Sequence, residues 1–187
     1  LAINVVVFVL QLAIGNALDP LMLWPLGGAD AGRFDFGPWQ LLTYGFMHDP
    51  KNLAHLVFNM LALVMFGSQL EYTWGTKRFV TYYLVCVVGA GLCQLGVVTW
   101  AFSQGAFPYA TLGASGGVFG LLLAYGVLFP NQRIVLLFPP IPMRARTLVI
   151  VYGLVELVLG ITGTESGVAH FAHLGGMLFG WLLLQHW

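Results

Sequence analysis

The sequence predicts an all-α, polytopic membrane protein, a bundle of six transmembrane helices whose fourth member is cut short. Three observations carry this. Apolar residues make up 59% of the 187 and charged residues only 7%, against roughly 25% charged in soluble domains. Six apolar stretches, near 1–17, 53–70, 79–102, 116–129, 147–163 and 168–187, approach the ~20 residues that cross a bilayer. The seven Lys/Arg and seven Asp/Glu fall mostly between these stretches. The whole chain, 1–187, reads as a single transmembrane domain. It opens at Leu1 directly in apolar sequence, so trimming of the N-terminus is expected, and no signal peptide is recognisable. Sparse, balanced charge argues against nucleic acid as a partner.

After the first stretch comes a long loop, 18–52, with Pro20, Pro25, Gly27-Gly28 and Gly37-Pro38. Loops of this length are usually functional. Its apolar runs, 21–26 and 39–46, suggest that it lies partly in the membrane surface. Trp24, Trp39, Phe34 and Phe36 are expected as interface anchors, with His48 at the same level and in a structural role. The second stretch carries His55 and Asn59, four apart and so on one helix face. In the third, Cys86 and Cys93 also share a face. A disulfide within one helix is out of reach at that spacing, and both read as buried apolar groups.

The fourth stretch is the anomaly. Residues 116–129 give about 21 Å of helix against a hydrocarbon thickness of about 30 Å. Pro130-Asn131-Gln132-Arg133 closes one end, so the other end, at Ser115, must lie below the opposite surface. Non-helical backbone at depth needs protein or a water cavity around it. A wet pit with Ser115 near its floor follows. In the fifth stretch Glu156 is a lone carboxylate at mid-segment. That depth is greater than Ser115 requires, so a structural role is expected of it, either a hydrogen bond in protonated form to a neighbouring helix or an influence on the opening between helices. The sixth holds His170 and His173, then Gly176 and Gly180.

Charge sets an expected orientation. The second and fourth loops carry Lys77, Arg78, Arg133, Arg144 and Arg146 with one acid, Glu71. The odd loops carry Arg33 and Lys51 against Asp19, Asp30, Asp35, Asp49 and Glu165. Positive charge marks the cytoplasmic side, which places both termini there. Segments two, four and six then run inward, so His55, Asn59, Ser115, His170 and His173 all fall in the outer half of the membrane. Intramembrane polar groups of this kind are read as functional. Gly116-xxx-Gly120 and Gly176-xxx-Gly180 allow two helix backbones to meet, which would bring His173 to Ser115. A serine hydroxyl needs a base to become a nucleophile, and a neutral histidine is one. The oxyanion that forms needs donors. The free N–H groups at the start of the fourth helix, Asn59 and His55 are the candidates.

These residues resemble the rhomboid family of intramembrane serine proteases. Gly113-Ala114-Ser115-Gly116 is similar to its G-x-S-G motif. His55-Leu56-Val57-Phe58-Asn59 is similar to H-x-x-x-N. The run from Ala172-His173 to Gly180 is similar to A-H-x-x-G-x-x-x-G. The resemblance implies a six-helix core of bacterial type and a Ser–His dyad, with Ser115 as nucleophile and His173 as general base, then acid. It implies oxyanion roles for Asn59 and His55, no third carboxylate and no cofactor. The partners it implies are single-pass transmembrane protein substrates in the lipid bilayer, cut in or near their membrane segment, in a bacterial inner or plasma membrane. Two departures stand out. Trp39-Gln40 replaces a frequent Trp-Arg, and Phe119 replaces a frequent tyrosine beneath the catalytic histidine. Glu71, Trp74-Gly75 and Arg78-Phe79 fit the family pattern as structural parts of a cytoplasmic turn.

Competing classes have less behind them. Ser115 alone would be an ordinary helix cap, and His173 alone an interior histidine. His170 is expected to line a water entry or bind a loop, and His186 to be incidental. A metal enzyme wants three or four spaced ligands, and no H-E-x-x-H or recurring Cys/His/Asp spacing occurs, so no metal is expected. A transporter or channel would use a broken helix at depth but also repeats and carboxylate chains, which are missing. A catalytically inactive relative that binds membrane proteins would not need Ser115 and His173.

Overall fold

The computed structural model describes residues 1–135, 140–163 and 168–187. Glu165, counted above among the outer charges, lies outside the described residues. Among the described residues seven α-helices follow in order: α1 Ala2–Ile14, the short α2 Gln40–Thr43, α3 Leu53–Trp74, α4 Thr76–Ser103, α5 Ser115–Leu128, α6 Ala145–Thr162 and α7 His170–Leu184. The N-terminal stretch Ala2–Leu21, α3, α4 and α6 are long and apolar enough to cross a membrane, and α5 and α7 are shorter apolar helices. The six apolar stretches of the sequence are therefore six helical segments of an all-α bundle. One small departure is a hairpin between α5 and α6, in which β1 Arg133–Val135 pairs antiparallel with β2 Pro142–Arg144.

Helices α4, α5 and α7 form the centre. The α5–α7 crossing is as close as glycine permits: a Cβ on Gly176 would run into the backbone carbonyl of Gly116, and one on Gly120 would come within 3.0 Å of the Gly176 carbonyl. Gly180, expected on the same seam, instead faces α4, where a Cβ would meet Tyr82 and Cys86. Small residues substitute for side-chain interdigitation here, because lipid supplies no hydrophobic drive between helices. Cys86 is fully buried and Cys93 half-buried, both as free thiols. Many large apolar side chains on α1 and α6 point outward, among them Ile3, Val6, Leu154 and Ile161. On a soluble domain such faces would be an aggregation hazard; on a membrane bundle they are the lipid contact.

The turn between α3 and α4 is a single residue, Gly75, at φ +78°. Glu71 accepts from the Thr76 hydroxyl at 2.8 Å. Arg78 donates to the Trp187 carbonyl at 3.2 Å and lies 4.4 Å over its ring. These contacts fit the structural role expected of the turn.

The loop 18–52 is folded into the body. Leu23 and Thr111 exchange both backbone hydrogen bonds at 2.9 Å, tying this loop to the one that precedes Ser115. Gln40 is buried and makes three bonds: its Oε1 accepts from Trp24 N at 2.9 Å, and its Nε2 donates to the carbonyls of Pro20 at 3.0 Å and Asp35 at 3.1 Å. The amide, with donor and acceptor on one planar head, thus anchors the loop without an arginine. Two expectations change. Trp24 is buried, with its indole N–H on the Asp19 carbonyl, whereas Trp39 and Phe34 are exposed. His48 is fully buried rather than interfacial: its backbone N–H donates to Gln11 Oε1 at 2.9 Å, and its ring lies 5.1 Å from that of His55. Asn4, Phe8 and Gln11 make the inner face of α1, and the Gln11 amide holds the backbone of His48 against it.

Candidate active site

Gly113 sets up the serine. Its φ of +132° is a conformation that side-chain-bearing residues avoid. A Cβ there would lie 2.8 Å from His55 Nε2 and 3.7 Å from Ser115 Oγ. The glycine therefore turns the chain into α5 and leaves one small space shared by the serine hydroxyl and the His55 ring. Helix α5 starts at Ser115, so the N–H groups of its first turn have no earlier carbonyl to bind and carry the positive end of the helix dipole.

His173 lies one residue turn before Gly176 on α7. The Gly116–Gly176 contact brings its Nε2 to 2.7 Å from Ser115 Oγ. The Phe119 ring stacks on the imidazole at 4.2 Å between centroids and 5° between planes. Loss of the tyrosine hydroxyl at this position leaves the stacking intact. Asp49 N donates to His55 Nδ1 at 3.4 Å. With Nδ1 an acceptor, the proton of the neutral His55 ring sits on Nε2, the atom beside Gly113 and Ser115. Asn59 is on the same wall, with its amide N–H on the His55 carbonyl at 2.8 Å. All four sequence-predicted residues, Ser115, His173, His55 and Asn59, are thus gathered in one place. A cavity of about 750 Å³ opens there, with Ser115, His55, Asn59, Phe119 and Tyr152 in its lining. Its α3 lining runs from Asn52 to Phe66, about 21 Å of helix. It is a long groove between α3 and α6 rather than a simple pit.

Glu156 is the residue that sequence reasoning set apart. It is buried, and its Oε2 lies 2.7 Å from His170 Nδ1 and 2.9 Å from His173 Nδ1. His170 therefore meets a carboxylate rather than a loop or a water entry. The depth argument failed for a simple reason. Counted from the hairpin end they share, Ser115 stands about 20 Å up α5 and Glu156 about 17 Å up α6. A short helix lowers its own N-terminus to the mid-depth of its neighbour. The spacing Glu156-x13-His170-x2-His173 was the available signal. As for metals, the donor atoms of Glu156, His170 and His173 all lie within 4.8 Å of one another.

Comparison with known proteins identifies the family. Residues 35–185 match the family model for the Rhomboid domain. The chain is 32% identical over 166 residues to RHOMBOID-like protein 4 of Arabidopsis thaliana, covering 87% of this chain and 38% of that protein. It is 30% identical over 183 residues to Rhomboid protease GluP of Bacillus subtilis, covering 96% of this chain and 32% of that protein. It is 27% identical over 196 residues to Rhomboid protease AarA of Providencia stuartii, covering 97% and 68%. The chain belongs to the rhomboid family and is a multi-pass membrane protein. It spans about a third of the length of the first two relatives.

Proposed function

We propose that the chain is an intramembrane serine endopeptidase that hydrolyses peptide bonds in or near transmembrane segments of membrane proteins, with Ser115 and His173 as its reacting pair. The observation that carries this is the 2.7 Å contact between Ser115 Oγ and His173 Nε2 at the foot of the α5 dipole, facing a long groove. His173 Nε2 takes the hydroxyl proton as Oγ attacks the scissile carbonyl. The carbonyl oxygen gains the electron pair and is met by the Ser115 backbone N–H and His55 Nε2–H, with Asn59 alongside. His173 returns the proton to the leaving amine, and water then repeats the sequence on the acyl-enzyme. The groove, lined by Phe58, Met65, Leu148 and Tyr152 among others, suits an extended apolar segment entering from the side of α3 and α6. The orientation is that expected from charge, with both termini cytoplasmic and Ser115 in the outer half of a bacterial plasma membrane.

The test is cleavage of a single-pass transmembrane substrate by the purified chain in lipid, comparing wild type with Ser115→Ala. Loss of cleavage and of labelling by a fluorophosphonate in the alanine variant is expected. Cleavage that survives it removes Ser115 as nucleophile. If wild type neither cleaves nor labels while it still captures membrane proteins, the chain is an inactive binder.

A further inference from the structure

The Ser–His pair does not account for Glu156. It sits in an uncharged run of α6 and is 7% exposed. A buried carboxylate is retained only when charge-assisted hydrogen bonds or a metal compensate for lost water. Among the described residues the ion-pair contacts are the two that Glu156 makes, to His170 and to His173.

A metal fits this cluster poorly. Zinc ligands at about 2.0–2.1 Å in a tetrahedron stand roughly 3.3 Å apart. Here the carboxylate oxygen is 2.7 and 2.9 Å from the two Nδ1 atoms, which is the separation of N–H donors on a charged acceptor. The His170 contact meets hydrogen-bond geometry. The His173 contact is short but off the ring's N–H direction, so His173 Nδ1 has no aligned partner. His173 is held at its other nitrogen by Ser115 and across its face by Phe119.

We propose that Glu156 is a positioning residue for the reaction assigned above, forming a Ser115–His173–Glu156 relay in which His170 holds the carboxylate; this rests on the serine protease reading. Only one neutral tautomer of His173 can act as base toward Ser115, the one with its proton on Nδ1 and its lone pair on Nε2. An ionised Glu156 beside Nδ1 favours that tautomer and disfavours the other, which would set two lone pairs against each other. When Ser115 Oγ bonds to the carbonyl carbon, its proton passes to Nε2, the carbonyl π pair moves to oxygen, and the imidazolium is stabilised by the carboxylate. The Nε2 proton then goes to the amine as the C–N bond breaks. Glu156 stays ionised throughout, as in serine hydrolases with a third carboxylate. His170 donates to the same oxygen and stands edge-on to His173, with 87° between the rings, which keeps that oxygen from turning away.

The experiment uses the full chain in lipid with three readouts: substrate cleavage, thermal unfolding, and ¹⁵N NMR of the His173 ring in wild type at neutral pH. Wild type is expected to carry the His173 proton on Nδ1. Glu156→Gln is expected to lower kcat by about 10²-fold or more with KM little changed, and Glu156→Asp to recover part of it. His170→Ala is expected to reduce kcat less than Glu156→Gln does. A wild-type His173 with its proton on Nε2 overturns the proposal whether or not any variant folds. So does a folded Glu156→Gln with wild-type kcat, or stoichiometric metal in the purified chain. Ser115→Ala separates the two readings. If it abolishes cleavage and Glu156→Gln does not, the relay alone fails; if it leaves cleavage unchanged, the protease assignment fails first.

Discussion

The α5–α7 contact can be broken by one methyl group. In Gly176→Ala the new Cβ meets the backbone carbonyl of Gly116, well inside the ~3.5 Å at which heavy atoms rest. Neither partner is a side chain that can rotate away, so the helices must part by more than about 1 Å. Gly116 adjoins Ser115, and Gly176 is one turn beyond His173, so the displacement falls directly on the 2.7 Å Ser115–His173 contact. Lengthened by about 1 Å it ceases to be a hydrogen bond, and misplacement of that size costs about 10²-fold in rate. Overpacking adds a stability loss of about 1–3 kcal/mol. The assay is substrate cleavage in lipid together with thermal unfolding. Gly96→Ala is the control, since no atom lies within 4 Å of a Cβ there. It is expected to be neutral or to gain up to about 1 kcal/mol from helix propensity. Gly176→Ala with wild-type cleavage and unfolding temperature would refute the close-contact reasoning.

Two further outcomes are expected. Gln40→Ala removes three hydrogen bonds that hold loop 18–52 and is expected to destabilise the fold by roughly 2–4 kcal/mol, read by thermal unfolding; a loss below about 0.5 kcal/mol would mean the loop is anchored elsewhere. Burial, with His55 adding to it, pushes His48 down to about 4 from its ordinary 6.5. The unfolded chain therefore binds a proton that the folded chain does not, so stability is full above pH ~6.5 and declines as pH falls toward ~4. His48→Phe is expected to flatten that decline in unfolding scans across the window, and an unchanged slope would remove His48 as its source.

Much of this protein was legible from its residues. The length of the apolar stretches marks six helical segments because a bilayer demands uninterrupted apolar helix. The short run 116–129 implied that Ser115 is deep, and the α5 of 14 residues has that length. The glycine pairs pointed to the α5–α7 seam, since only backbone atoms can occupy such a contact. Three motifs predicted which polar residues come together: Ser115 and His173 are in contact, and His55 and Asn59 line the same cavity as Ser115. What they do there is a matter for the kinetic tests.

The tertiary structure decided what spacing along the chain cannot express. His48 and Trp24 looked interfacial, because an isolated polar or aromatic residue in a loop has no visible partner; the amides of Gln11 and Gln40 hold their backbones inside the fold. Gln40 became an anchor only once Pro20, Asp35 and Trp24 surrounded it. Glu156 looked too deep for Ser115 until both heights were measured from one common end. Sequence determined the lengths of the helices and the chemistry they carry. Their relative heights, and hence the meeting of Glu156 with His170 and His173, depend on how a 14-residue helix hangs beside an 18-residue one, which is a property of packing alone.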